Sequence, residues 1–208
     1  MQKIFDMDGT VFKFLTLGYN LLILNLLIIL TSLPIITVGA SITAAFSILN
    51  ETDNGKINLT IKRYLFYFKK HLKRATALFF LQIICVLILL GIIYIFEALR
   101  PLQFMLLVTM GALMLVSSLF YPLLSKYDTV SLKSIIFLSV TLTLKYTGFI
   151  VIYFILPLVS LAIPVFLPSL IFPYILFVFS MPIYVQRTIV EIPFKQSKWL
   201  NEWSLNNI

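Results

Sequence analysis

The strongest constraint on this chain is a series of apolar runs, each about 20 residues long and almost free of charge. A helix of about 20 apolar residues crosses the roughly 30 Å hydrocarbon layer of a bilayer. Residues 11–33 form the first run, which stops at Pro34. Residues 75–96 and 101–124 follow, with Glu97 and Arg100 marking a tight turn between them. Residues 146–166 and 168–185 make the last pair. Pro164 and Pro168 bracket their connection, where helices end and restart.

Composition points the same way. The chain is 61% hydrophobic and 12% charged, with a mean hydropathy of +1.04, whereas soluble domains are about half apolar and a quarter charged. The expected fold class is therefore an all-α polytopic membrane protein, one membrane domain over residues 1–208. No cleavable signal peptide is expected, because the first apolar run lacks a short core with an A-x-A exit.

A sixth apolar stretch, residues 35–49, reads IITVGASITAAFSIL. At about 1.5 Å per residue it reaches only about 22 Å. Gly39, Thr43 and Ser47 recur at four-residue spacing, with Ala40 and Ala44 beside them. Small residues at that spacing let helix backbones approach closely in a bilayer. A short helix buried among neighbours and a re-entrant helix both fit this pattern.

Charge favours six spans, with five as the alternative. Six spans put Lys3 and Lys13 on one side, together with the 50–74 loop, the 125–145 loop and the 186–208 tail. Those segments carry Lys56, Lys62, Arg63, Lys69, Lys70, Lys73, Arg74, Lys126, Lys133, Lys145, Arg187, Lys195 and Lys198, so only Arg100 of the 16 basic residues lies opposite. Positive charge concentrates on the cytoplasmic side, which places both termini there. With five spans only the nearly neutral N-terminus, Lys3 and Lys13 against Asp6 and Asp8, changes sides.

The loops carry their own periodicity. Over 59–74, basic residues recur at 62, 69 and 73 and at 63, 70 and 74, opposite a stripe of Ile61, Leu65, Phe68 and Leu72. That pattern predicts an amphipathic helix lying on the inner membrane surface, its basic face meeting anionic lipid or a partner. Asp128 and Thr129 are good helix-start residues for a second interfacial helix leading into the fifth span. Trp199 and Trp203, flanked by Lys195 and Lys198, suit the same interface.

One motif suggests an enzyme. Phe5 to Phe12, FDMDGTVF, resembles the first motif of haloacid-dehalogenase-type phosphatases, whose two Asp act as nucleophile and general acid/base. Such a site needs a strand in a Rossmann-like sheet and a downstream acidic pair for magnesium. The acids after Asp8 are Glu51, Asp53, Glu97, Asp128, Glu191 and Glu202, none adjacent to another, and no strand–helix alternation accompanies them. Out of context the match is weak, and DMDGT reads as a turn before the first span.

Other chemistry is equally unsupported by pattern. No ionisable residue interrupts the span interiors, whose polar groups are Asn20, Asn25, Gln82 and scattered Ser, Thr and Tyr. Asn20 and Asn25 are expected to bridge helices. His71 sits among lysines on the surface helix, and Cys85 is alone in an apolar run, so neither a metal site nor a disulfide is expected. No phosphate-cradling Gly-rich loop with Lys is present, and no basic soluble module suggests nucleic acid. The expectation is a non-catalytic protein without catalytic residues or cofactor.

The stretch from Asn25 to Phe46, NLLIILTSLPIITVGASITAAF, resembles the N-terminal signature of the YesL-like family of bacterial integral membrane proteins. The matching positions are Asn25, Leu33, Pro34, Thr37, Gly39, Ala40, Thr43 and Ala44, with Leu27 where the family often has Trp. FYFKKHLKRAT and YPLLSKYDTVSLKSI continue the likeness more loosely, and DGTVFKFL is similar to the family's lead-in. The resemblance implies residence in the bacterial plasma membrane and an accessory or scaffolding part in oligosaccharide uptake. The implied partners are the permease subunits of an ABC importer. A small permease in its own right, with a site at Asn20, Asn25 and Pro34, is the alternative. Lys62, Arg63, Phe68, Lys69, Lys70, Lys73 and Arg74 make up the expected partner- or lipid-facing loop.

Overall fold

The computed structural model describes residues 10–51, 61–95, 100–166 and 174–196. Helix α1 spans Thr10–Ser32 and a 3-10 turn spans Ile35–Thr37. Helices α2 (Val38–Asn50), α3 (Ile61–Ile95), α4 (Arg100–Ser118) and α5 (Phe120–Lys126) come next. Then come α6 (Leu132–Lys145), α7 (Thr147–Phe166) and α8 (Ser180–Gln196). No strand occurs among the described residues. The phosphatase-like residues Asp6 and Asp8, and Trp199 and Trp203, lie outside them.

Three stretches are long and apolar enough to cross a bilayer: Leu15–Ser32, Ile61–Ile95 and Arg100–Lys126. A fourth is available if α6 and α7, bent by 105° at their junction, count as one broken span. The expected run at 101–124 contains a hitch at Leu119, whose amide bonds to Val116 O at 3.2 Å, between α4 and α5. Residues 167–173 of the expected last span lie outside the described set. The helix starting at Ser180 continues to Gln196, past the expected span end at 185.

The largest departure from expectation is α3. Residues 59–74 were expected to lie along the membrane surface, yet from Ile61 they run without a break into the third apolar run as one 35-residue helix. At 1.5 Å per residue it is about 52 Å long, so it outreaches the roughly 30 Å apolar layer and its basic first third projects beyond. Of the expected apolar stripe, Ile61 and Leu65 are exposed, whereas Phe68 and Leu72 pack partly against the core. The buried residues of α3 are Tyr64, His71, Ala75 and Leu78. Polar heads can line an internal face when each finds a partner. The Tyr64 hydroxyl meets Thr31 Oγ1 at 2.8 Å and donates to Ser41 O at 3.3 Å.

Helix α2 is the centre of the bundle. Every residue from Gly39 to Leu49 except Ile42 is buried, and its most extensive packing is against α3. It also packs on α1, α5 and α8. Of the two readings of 35–49, the helix buried among neighbours is the one found. Gly39 explains how it fits. A Cβ there would sit 3.0 Å from Ala75 O and 2.9 Å from Tyr121 Cε1, so only glycine lets α2 lie this close to α3. The small-residue stripe therefore packs inside this chain. Thr43 and Ser47 bury their hydroxyls by donating to the carbonyls of Gly39 and Thr43, at 2.8 and 3.0 Å.

The other signature residues build the entry to α2. Pro34 ends α1 in extended backbone (φ −75°, ψ 112°). Thr37 then ties the turn together, its hydroxyl within 2.6 Å of Thr31 O and 2.7 Å of Pro34 O. Asn25 braces α1 against the start of α8, as its type predicts. Its amide donates to Ile175 O at 2.9 Å, and its Oδ1 accepts from the amides of Phe179 and Ser180 at 2.9 and 3.4 Å. It thereby satisfies backbone groups that the interrupted helix leaves open.

Enlarging Gly39 tests this packing. Gly39→Leu is expected to destabilise the purified protein by about 1–3 kcal/mol through overpacking. Gly91→Leu, where nothing lies within 4 Å of the added Cβ, is expected to change stability by no more than about 0.5 kcal/mol. Unfolding in mixed detergent measures both, and equal effects would contradict the packing assigned to α2.

Candidate functional site

At the basic end of the bundle the helices diverge around a polar cleft of about 420 Å³. The C-terminal turn of α2 supplies Ser47, Asn50 and Glu51, and α3 supplies Tyr67 and Lys70. Ser125, Lys126 and Asp128 come from the end of α5 and the turn after it, and Arg187, Val190 and Glu191 from α8. Phe46 and Pro122 complete the wall.

The charges are organised in pairs. Lys70 forms an ion pair with Asp128, and Arg187 Nη2 lies 2.9 Å from Glu191 one turn along α8. Glu51 accepts a hydrogen bond from the Tyr67 hydroxyl and lies 3.8 Å from Arg63. Asn50 donates to Ser125 Oγ at 3.0 Å. Arg74 donates through both terminal nitrogens to the carbonyls of Asp128 and Val130, fastening the turn before α6 onto α3. Because the turn is held this way, Asp128 and Thr129 do not start α6. Ser131 does, its hydroxyl accepting from Ser134 N. The hydrogen bond from Lys70 holds the Asp128 carboxyl below the usual carboxylate range.

The expected loop residues divide accordingly. Lys62, Arg63, Lys69, Lys70 and Lys73 are exposed, whereas Phe68 and Arg74 are half-buried. Only Lys70 of this set reaches the cleft. Asn25, Pro34, Thr37, Gly39, Ala40, Thr43 and Ala44 contribute none of its lining. Sequence reasoning missed Glu51, Asp128, Arg187 and Glu191 as a group because they lie on three separate elements. It also placed His71 on the surface, and that is corrected here: His71 is 1% exposed, beneath the cleft, with its ring stacked on Tyr67. The Tyr64, His71, Ala75, Leu78 spacing of seven, four and three residues was the available signal.

Ser47 and His71 are 3.3 Å apart, which invites comparison with a nucleophile and base. The Ser47 hydroxyl also lies 3.0 Å from Thr43 O, an acceptor that competes with His71 for its proton. Among the described residues no cluster of three His, Cys, Asp or Glu side chains is placed to hold a metal.

Burial lowers His71 from 6.5 to about 4, aided by Lys70 and opposed by Asp128. Between those values the unfolded chain takes up a proton that the folded chain refuses. Stability is therefore full above pH 6.5 and falls as pH drops towards about 4. The Asp128 contribution acts lower, present above about 3.8 and lost as pH falls further. The melting temperature in mild detergent is expected to fall across pH 6.5 to 4, and His71→Gln to flatten that fall. An unchanged slope in the variant would contradict a buried neutral imidazole.

Comparison with known proteins gives one family match. Residues 21–92 fit a family described as "Protein of unknown function, DUF624". The matched stretch runs from Leu21 of α1 through α2 into α3, so it contains the central helix and its closest partner. No curated protein and no solved structure matches the chain.

Proposed function

We propose that this protein is a non-catalytic integral membrane component that assembles with other membrane subunits. In this reading it crosses the membrane six times, with the basic end and both termini in the cytoplasm. The resemblance to YesL-like proteins suggests oligosaccharide uptake as the setting and the permease subunits of an ABC importer as the partners.

The observation that supports assembly is the far half of α3 with most of α4. From Phe79 to Ile95 and from Arg100 to Val116 no residue is buried. Both helices carry a glycine, Gly91 and Gly111, with open space where a Cβ would stand. Glycine on an uncovered helix face gives a neighbouring helix close access to the backbone. Lipid tails can cover such a surface but have no need of glycine. The permease reading rests on Asn20, Asn25 and Pro34, and two of the three have structural tasks: Pro34 ends α1, and the Asn25 amide is committed to main-chain groups at 175–180.

Tagged protein is purified from its native membrane in mild detergent, and co-eluting proteins are quantified by mass spectrometry. Importer permease subunits are expected at fixed stoichiometry. Replacing Gly91 and Gly111 together by Leu is expected to lower their recovery several-fold with the melting temperature unchanged. Elution of the protein alone, or recovery indifferent to both substitutions, would overturn the proposal. Solute flux into liposomes holding only this protein would favour the permease.

A further inference from the structure

The cleft at the basic end has features that an assembly role does not use. Its six charged side chains balance: Lys70, Lys126 and Arg187 against Glu51, Asp128 and Glu191. Arg187 adds one further donor. Its Nη2 is taken by Glu191, but its Nε is buried without a hydrogen-bond partner. A buried guanidinium donor left unpaired is costly, and an acceptor oxygen arriving in the cleft relieves that cost.

Next to the cleft lies a second cavity of opposite character. It measures about 250 Å³, is lined mainly by apolar side chains and shares Phe46 with the cleft. Phe154, Pro157, Phe179 and Pro182 form much of its wall, and Phe179 is exposed. A polar, charge-balanced cleft thus adjoins an apolar groove. The cleft takes Lys70 from the basic first third of α3, the part that a span of about 30 Å leaves at the headgroup level.

We propose that the cleft binds the headgroup of a zwitterionic phospholipid, one of whose acyl chains lies in the groove beside Phe46. The phosphate oxygens meet Arg187 Nε and the Lys126 side of the cleft, and the ammonium meets the Glu51 and Glu191 carboxylates. A headgroup with negative charge alone brings no cation to the Glu51 and Glu191 carboxylates, only weaker hydroxyl donors. A headgroup carrying both signs has a partner for each. The inference rests on the membrane reading of the helices and is independent of which subunits the protein joins.

The test uses full-length protein purified from bacterial membranes in mild detergent. Retained lipid is identified by mass spectrometry, and phosphatidylethanolamine, phosphatidylglycerol and soluble glycerophosphoethanolamine are then titrated by native mass spectrometry. About one phosphatidylethanolamine per chain is expected to be retained, bound about tenfold more tightly than phosphatidylglycerol, the equivalent of one good charged hydrogen bond. The double variant Arg187→Gln with Glu191→Gln is expected to erase that preference. Lys62→Ala, exposed and away from the cleft, is expected to keep it. If the double variant does not fold, the wild-type preference and Lys126→Gln, expected to weaken phosphatidylethanolamine binding, still decide. Equal affinity for the two lipids overturns the proposal. Binding of glycerophosphoethanolamine as tightly as the lipid overturns the groove and leaves a site for a soluble zwitterion.

Discussion

The contact of Gly39 with the backbone of α3 at Ala75 sets the geometry of this protein. Helix α2 has 13 residues, fewer than the about 20 of a span that faces lipid, and its hydroxyl-bearing side chains gain nothing from facing lipid. It is stable as a buried strut, surrounded by α1, α3, α5 and α8. Burial at that density requires small side chains, because a bilayer supplies little hydrophobic force between helices and close packing must do the work. The same strut ends at Ser47, Asn50 and Glu51, so its position also fixes one wall of the polar cleft.

Two surfaces follow from this arrangement, and they face different environments. The far half of α3 and α4 is apolar and uncovered, suited to helices or lipid. The near half of α3 is basic and carries Tyr64 and His71 inward to polar partners on α1 and α2. A single continuous helix thus links an intramembrane face to the charged cleft. Arg74, which fastens the turn at 128–130 to α3, makes the cleft rim part of that same rigid element.

Much of this was legible in the sequence because hydrophobic length and glycine spacing report directly on membrane packing. The first run, the small-residue helix and the bridging role of Asn25 could all be read from residue type and position. The buried face of α3 was not legible. Tyr64 and His71 look like surface residues, and only their partners at Thr31, Ser41 and Ser47, far away in sequence, make burial tolerable. The start of α6 was misplaced at Asp128 for a related reason: a good capping residue was already engaged by Lys70 and followed by a better-placed Ser131. The cleft was invisible because its charges come from four separate parts of the chain, and no local pattern announces a site assembled that way.

The account stands on α2 being a sealed strut and not the wall of a water-filled path. Single cysteines at Ala40 and Ala44, in a Cys85→Ser background, can be probed with a membrane-impermeant maleimide in sealed cells and inside-out vesicles. Thr129→Cys, on the exposed turn at the basic end, serves as the accessible control. The account predicts that both α2 cysteines stay unlabelled from either side until detergent denaturation exposes them, while Thr129→Cys reacts from one side at once. Rapid labelling of the Ala40 or Ala44 position in the intact membrane would contradict it and make α2 the lining of a permeation pathway.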